Sequence, residues 1–402
     1  ILTANIKTDE FFRAKYDYEV IDKGPEKVSV EFSRRATGKW RQQDIPSLKG
    51  LIIRKRITVF AAKPIIKVTL KFINPTKEDK NITYWMQNMV SAAGNPDKDY
   101  YYRPYPGGIS RVNNRENKDW VRNPTAGWTG ILNPQAKRGI IFLMDYNYLN
   151  ILYNSLPAST TEWMYAKVGI PAGGSWQTVV KLVLTRGFTD YTYASDKIIA
   201  GVVIEKQGNK LLLTQQLAAT EGKIPSLRLQ TTSISLGEKP RMVYDTTRAI
   251  MVKEEGQREK KDWGYFELKD IGFQPVIRKL TIPEITPGEE VIRVTVTAPG
   301  FRQSYEKPFM VGKGEPFYEK TLPKKHKVFI KPQKMVIKRN GKLAVLFLRS
   351  SLTLNTQRWR IEKILREKGI KVKTAVYNYV AWKEAGNIKG FPIGSSDLLS
   401  YN

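Results

Sequence analysis

Cysteine is absent from all 402 residues. That excludes disulfides, thiolate nucleophiles and cysteine metal sites. Histidine occurs once, as His326 in the lysine-rich stretch Lys324-Lys325-His326-Lys327. No apolar run approaches the roughly 18 residues that span a bilayer as a helix; the longest, Gly139-Ile140-Ile141-Phe142-Leu143-Met144, reads as a buried strand. A phosphate loop is missing, because Pro106-Gly107-Gly108 and Ala172-Gly173-Gly174-Ser175 are turns that open no helix. There is no Gly-x-Ser-x-Gly nucleophile elbow. Helix-turn-helix, zinc-finger and aromatic RNA-strand patterns are missing too, so no specific nucleic-acid module is present.

What is there is a chain long enough for two or three domains, each with its own core. Hydrophobic content of 41% and 11% aromatic residues are globular values. The formal net charge of +29 is spread along the chain. A spread excess favours a polyanion or an anionic surface, although a solvated basic surface is the plainer account. Many lysines, arginines and isoleucines with no cysteine fit a thermophile. The first residue is Ile1, so a processed product with its leader removed is expected, and with it an extracytoplasmic location.

Residues 1–330 read mostly as strands. Residues 51–60 and 65–73 are β-branched and alternating, with Ala61 to Pro64 as the turn, and predict an antiparallel hairpin. Ile66, Val68, Leu70 and Phe72 should face a core, and Lys67, Thr69 and Lys71 water. Further strands are expected near 81–90, 139–144, 161–168 and 175–186. Between the first and second of these expected runs lies a long stretch with almost no apolar periodicity, read as a structured loop that is functional or covers one face of a sheet. A second β region, 191–332, holds a hairpin around Gln207-Gly208-Asn209 and a cleanly alternating strand from Glu289 that closes at Pro299-Gly300. This spacing suggests an immunoglobulin-like sandwich. From 333 the pattern changes: Lys342 to Arg349 is a continuous apolar strand, Asn355 to Lys368 a helix ended by Gly369, and Ile370 to Val376 a second strand. That is a single βαβ unit, whose sheet needs cover from a second copy or from further chain.

Aromatic residues crowd between 84 and 165, beside asparagines, arginines and glycines. Flat rings next to planar amides and guanidinium groups suit a sugar or another polar ligand, and equally suit the core of a large sandwich. The candidate ligand-binding residues are Trp85, Gln87, Asn88, Tyr101, Tyr102, Arg103, Tyr105, Arg111, Trp120, Trp128 and Trp163. Glu162 and Asp145 are the carboxylates nearest this region, the minimum pair for glycoside hydrolysis, and ion pairing is the commoner use of such residues. Asp97, Asp99 and Glu116 do not form an EF-hand, since Asn95-Pro96-Asp97-Lys98-Asp99 lacks its length and glycine, which leaves a mixed-carbonyl calcium site as the alternative to no metal. No cofactor is expected.

Residues 16–188 resemble the galactose-mutarotase-like β-supersandwich of carbohydrate-active proteins. The likeness lies in the order of Gly50 to Lys55 opening a long paired strand, Ile73-Asn74-Pro75-Thr76 closing it, Tyr84 to Asn88, and Thr160 to Tyr165 before Ile170 to Trp176. Residues 333–402 resemble the opening of a class I glutamine amidotransferase-like, flavodoxin-like domain. Epimerases of the first family use histidines with a glutamate, and His326 alone cannot supply that set; amidotransferases use a cysteine. The expected architecture is therefore mainly β: a supersandwich over 1–190, an Ig-like sandwich over 191–332 and a partial α/β unit over 333–402. The expected function is a non-catalytic carbohydrate-binding or cell-surface structural module of a larger exported protein. The alternatives are a carbohydrate-active enzyme or its accessory region, and a polyanion-binding surface protein.

Overall fold

The computed structural model describes residues 2–3, 10–11, 14–40, 43–105, 108–113, 120–122, 124–155, 159–208, 210–237, 259–283, 288–311, 337–339, 342–350 and 371–377. The fold is mainly β; among the described residues the one helical turn is the short 3-10 segment Pro96–Lys98. Two compact units are formed, one from residues 1–243 and 250–328, the other from 244–249 and 329–402.

The first unit contains a nine-stranded antiparallel sheet. Edge to edge it runs Gly108–Asn113, Tyr100–Tyr105, Trp128–Asn133, Arg138–Leu143, Ser175–Arg186, Ile65–Ile73, Ile52–Phe60, Lys27–Arg35 and Asp17–Lys23. A five-stranded antiparallel sheet packs on it: Leu2–Thr3, Trp85–Met89, Thr160–Tyr165, Leu149–Ser155 and Trp120–Arg122. The core between them includes Leu70, Phe72, Ile131, Phe142, Leu152, Trp163 and Tyr165, all fully buried. The expected hairpin forms, with Val59 opposite Ile66. Val68, Leu70 and Phe72 point into this core, Ile66 packs at its margin, and Lys67, Thr69 and Lys71 are half-buried on the other face. The segments that close the long strand and precede the last one meet through Asn74. Its amide donates to the carbonyls of Glu78, Ile170 and Pro171 at 2.7, 3.0 and 3.0 Å, and its Oδ1 accepts the Thr76 hydroxyl at 2.7 Å.

Two further antiparallel sheets face each other in the same unit. One is Tyr193–Ala194, Ile198–Gln207, Lys210–Ala219 and Val276–Ile282; the other is Glu259–Ile271, Ile224–Gly237, Gly288–Ala298 and Phe301–Val311. Their shared core includes Val202, Leu213, Leu229, Ile292, Val294 and Val296. The hairpin at Gly208 closes with Gln207 opposite Lys210, and Gly208 takes φ +60°, a conformation that favours glycine.

A third core lies on the far face of the nine-stranded sheet. There Tyr102, Trp128, Leu132, Ile141 and Val183 pack against Phe188, Tyr191, Ala194, Ile199 and Ala218. Part of the sheet is therefore buried on both sides. This corrects the reading of the aromatic stretch as a long loop, because strands Tyr100–Tyr105, Gly108–Asn113, Trp120–Arg122 and Trp128–Asn133 run through it. A strand covered on both faces has no reason to alternate: Tyr101 and Tyr102 are consecutive and both wholly buried, one in each core.

In the second unit, Ile337–Arg339 pairs antiparallel with Lys342–Ser350, which pairs in parallel with Lys371–Tyr377. The expected helix 355–368 lies outside the described residues, as does the linker containing His326.

Candidate functional site

Residues directly opposite in an antiparallel sheet share a face, and neighbours along a strand alternate. In the five-stranded sheet Trp120 lies opposite Tyr153, Tyr153 opposite Glu162, and Glu162 opposite Gln87. One row thus crosses four strands. Trp85, two residues before Gln87, and Met164 share its face. The adjacent row, Val121, Leu152, Trp163 and Met86, is buried in the core between the sheets. The first row therefore lies on the outward face, where Trp85, Gln87, Trp120 and Tyr153 are half-buried.

On that face three rings form a cluster. Trp120 and Tyr153 lie 4.1 Å apart between centroids at 31°; Trp85 is 6.5 Å from Trp120 and 6.4 Å, edge-on, from Tyr153. Beside them Glu162 is 1% exposed. Its Oε1 accepts from the Thr160 hydroxyl at 2.5 Å and from the Gln87 amide at 2.8 Å. Burial raises the Glu162 carboxyl above the usual carboxylate range, while the hydrogen bonds from Thr160, Gln87 and Trp85 act in the opposite direction. The arrangement is a cluster of mutually tilted rings with amide and carboxyl groups at its side.

The remaining candidates lie elsewhere. Trp163 and Tyr101 are buried in the core between the first two sheets, and Tyr105 packs against it. Trp128 and Tyr102 are buried in the core on the far side of the nine-stranded sheet. Asn88 lies on the inward face and donates to the Thr161 carbonyl at 3.3 Å. Arg103 is 2% exposed and reaches Ser110 at 3.2 Å. Arg111 is exposed, its guanidinium 4.1 Å from the Tyr100 ring centroid and 6.0 Å from that of Tyr102. Asp145 accepts from the Asn147 N–H at 3.0 Å within its own turn, and its charge acts on Tyr165, an inward-facing residue. Glu162 faces outward, so the two carboxylates are not brought together. Tyr153 and Thr160 complete the site and were not among the sequence candidates; the alternation of Tyr153 with Leu152 and Asn154 is the signal that could have placed it. Among the described residues no group of three or more His, Asp or Glu side chains is placed to hold a metal ion.

No protein-family model matches the chain, and no curated protein matches it. Solved structures similar to parts of it include a TPR-domain-containing protein from Parabacteroides distasonis, at 13% identity and a TM-score of 0.34 over 45% of this chain and 36% of that one. A galactose mutarotase-like protein from Clostridium acetobutylicum gives 9% identity and a TM-score of 0.31 over 43% of this chain and 67% of that one. A putative aldose 1-epimerase from Escherichia coli K12 gives 11% and 0.30 over 42% and 69%. The chain spans about a third of the length of the first of these.

Proposed function

We propose that this chain is a non-catalytic carbohydrate-binding module of a larger exported protein, and that the outward face of the five-stranded sheet is its binding surface. The observation that carries this reading is the half-buried cluster of Trp85, Trp120 and Tyr153 beside Gln87 and Glu162. Sugar rings present axial C–H groups that stack on aromatic faces and hydroxyls that bond to amides, and this face offers half-buried rings and the half-buried Gln87 amide. On this reading the first sandwich is mutarotase-like in fold only, the second is an Ig-like spacer, and the parallel strands near the C-terminus open an α/β domain covered by further chain or a second copy.

A second reading, a carbohydrate-active enzyme, is favoured by one observation: burial raises the carboxyl of Glu162, as a general acid requires. The other carboxylate candidate, Asp145, belongs to the inward side and is not placed beside Glu162. The net charge supports a third reading, polyanion binding.

The experiment is binding to an array of neutral glycans, followed by affinity electrophoresis in gels holding the neutral polysaccharides that score. Neutral ligands remove the contribution of the net charge. Retention that falls at least tenfold in Trp120→Ala and is unchanged in Tyr265→Ala, an exposed aromatic of the other sandwich, supports the proposal. No binding to any neutral glycan, or binding indifferent to Trp120→Ala, sinks it.

A further inference from the structure

The core of the first sandwich does not reach across the whole inward face of its nine-stranded sheet. Strands Ile65–Ile73 and Ser175–Arg186 give it Val68, Leu70, Phe72, Trp176 and Val180. The next strand, Ile52–Phe60, adds only Ile53, and Lys27–Arg35 and Asp17–Lys23 add no residue. These outer strands nevertheless keep apolar residues on the inward face. Ile53 points into the core, so Ile57 and Val59 face the same way. The register carries that face outward: Val59 lies opposite Val28, Ile57 opposite Val30, and Val30 opposite Val20. Val20, Val28 and Val59 are 38%, 48% and 49% exposed. Opposite side chains in a sheet stand about 5 Å apart, so these form one continuous apolar surface, the kind that marks an interaction site. The other face of the same strands is polar, with Ser29 bonded to Thr58 at 2.9 Å and Glu31 paired with Arg56 at 2.9 Å.

A cation stands within this surface. Lys55, between Ile53 and Ile57 on the inward side, has Phe32 opposite it on one neighbouring strand and Leu70 on the other. It is half-buried. Burial holds its ammonium below the usual lysine range, and no neighbouring charge or hydrogen bond offsets that. The other cations of this face are differently placed. Arg34 donates to the Lys15 carbonyl at 3.1 Å and lies 3.7 Å from Glu10, and Lys23 is exposed on the edge strand. The carboxylates of these three strands do not reach Lys55. Asp17, Glu19 and Glu31 fall on the outward face, and Asp22 holds Lys27 at 2.9 Å. A poorly hydrated, unpaired ammonium beside open valines is complementary to a molecule that is anionic at one end and apolar along the rest.

We propose that the uncovered inward face of these outer strands binds a single-chain alkyl carboxylate, its head group on Lys55 and its chain laid along Ile57 and Val59 towards Val28. Four residues separate Lys55 from Val59, a run of about 13 Å along the strand, which suits an alkyl chain of medium length. A neutral lipid would leave the ammonium unpaired, and a short anion would leave the valines open. The surface belongs to a different sheet from the row of Trp85, Trp120 and Tyr153, and does not depend on glycan binding.

The test is titration calorimetry of residues 1–402 with decanoate below its micellar concentration, beside decanol and acetate, at physiological salt. Decanoate should bind more tightly than either. Lys55→Met should weaken decanoate about tenfold, the worth of a hydrogen bond to a charged group, and leave decanol unchanged. Val59→Gln should weaken both long-chain ligands, and Val28→Gln, on the neighbouring strand, reads the same surface should Val59→Gln not fold. Lys67→Met removes a half-buried lysine from the outward face and should change neither, which separates the site from the net charge of +29. No decanoate binding by the parent, equal losses in Lys67→Met and Lys55→Met, or decanoate affinity indifferent to the glutamine variants would overturn the inference. So would a parent that sediments as a dimer and a Val59→Gln chain that sediments as a monomer, since a second copy would then cover this face.

Discussion

Trp120 and Trp163 sit on adjacent rows of one sheet and face opposite ways, so truncating each to alanine separates the outward surface from the core. Trp163 is 0% exposed, with its ring 5.6 Å from Phe142. Its removal leaves a cavity between two rigid sheets, and Trp→Ala in such a site costs about 3–5 kcal/mol. Trp120 is half-buried, and its main ring partner is Tyr153 at 4.1 Å. An aromatic pair is worth about 0.5–1.5 kcal/mol beyond burial, and half the burial of a large side chain adds about 1 kcal/mol, so the expected cost is about 2 kcal/mol. The assay is urea unfolding of both variants and the parent, comparing midpoints at a common slope, with neutral-glycan binding on the same samples. Trp163→Ala should lose most stability and keep whatever binding its folded fraction allows. Trp120→Ala should lose clearly less stability than Trp163→Ala, about 2 kcal/mol, and at least tenfold in affinity, which is about 1.4 kcal/mol. If Trp120→Ala destabilises as much as Trp163→Ala, the outward rings are packed structure, and the reasoning that makes them a surface fails.

Three more outcomes are expected. Glu162→Gln should flatten stability as pH rises: burial lifts the native carboxyl above its ordinary value of 4.5, so the native state holds its proton more tightly than the unfolded chain. The parent then loses stability from about that pH up through the raised native value, while the variant does not; identical Tm–pH curves from pH 4 to 8 would refute this. Gly139→Ala should cost about 3 kcal/mol, because the added Cβ would lie 2.1 Å from the Tyr191 hydroxyl and 2.7 Å from the Ile131 carbonyl, whereas Gly222→Ala, with nothing within 4 Å, should be near neutral by thermal melt. Lys307→Met should cost about 1–3 kcal/mol by removing the cation 2.9 Å from buried Asp190, whose other oxygen already lacks a hydrogen bond, and Asp190→Asn in the same chain should recover part of the loss.

How far the sequence reveals this molecule depends on whether a strand has one buried face or two. Residues 52–73 and 198–219 read as hairpins because their turn residues are local signals and because alternation survives wherever one face meets water. Residues 100–105 and 128–133 do not alternate, since cores lie on both sides, and the same aromatic richness that makes them good strands made them resemble a decorated loop. The site is harder still, because composition cannot tell Trp85 from Trp163. That difference is one of parity between strands some 75 residues apart: Trp85 is opposite Met164, and Met86 opposite Trp163. A slip of one residue in that register would set Trp163 opposite Trp85 or Gln87 and so put both tryptophans on the same face. The register is held by the inward row, since Met86, Leu152 and Trp163 can be buried together only if Gln87, Tyr153 and Glu162 turn out. The positions that the sequence could not orient are thus fixed by the core residues beside them, and the candidate surface exists because Met86, Leu152 and Trp163 claim the other side.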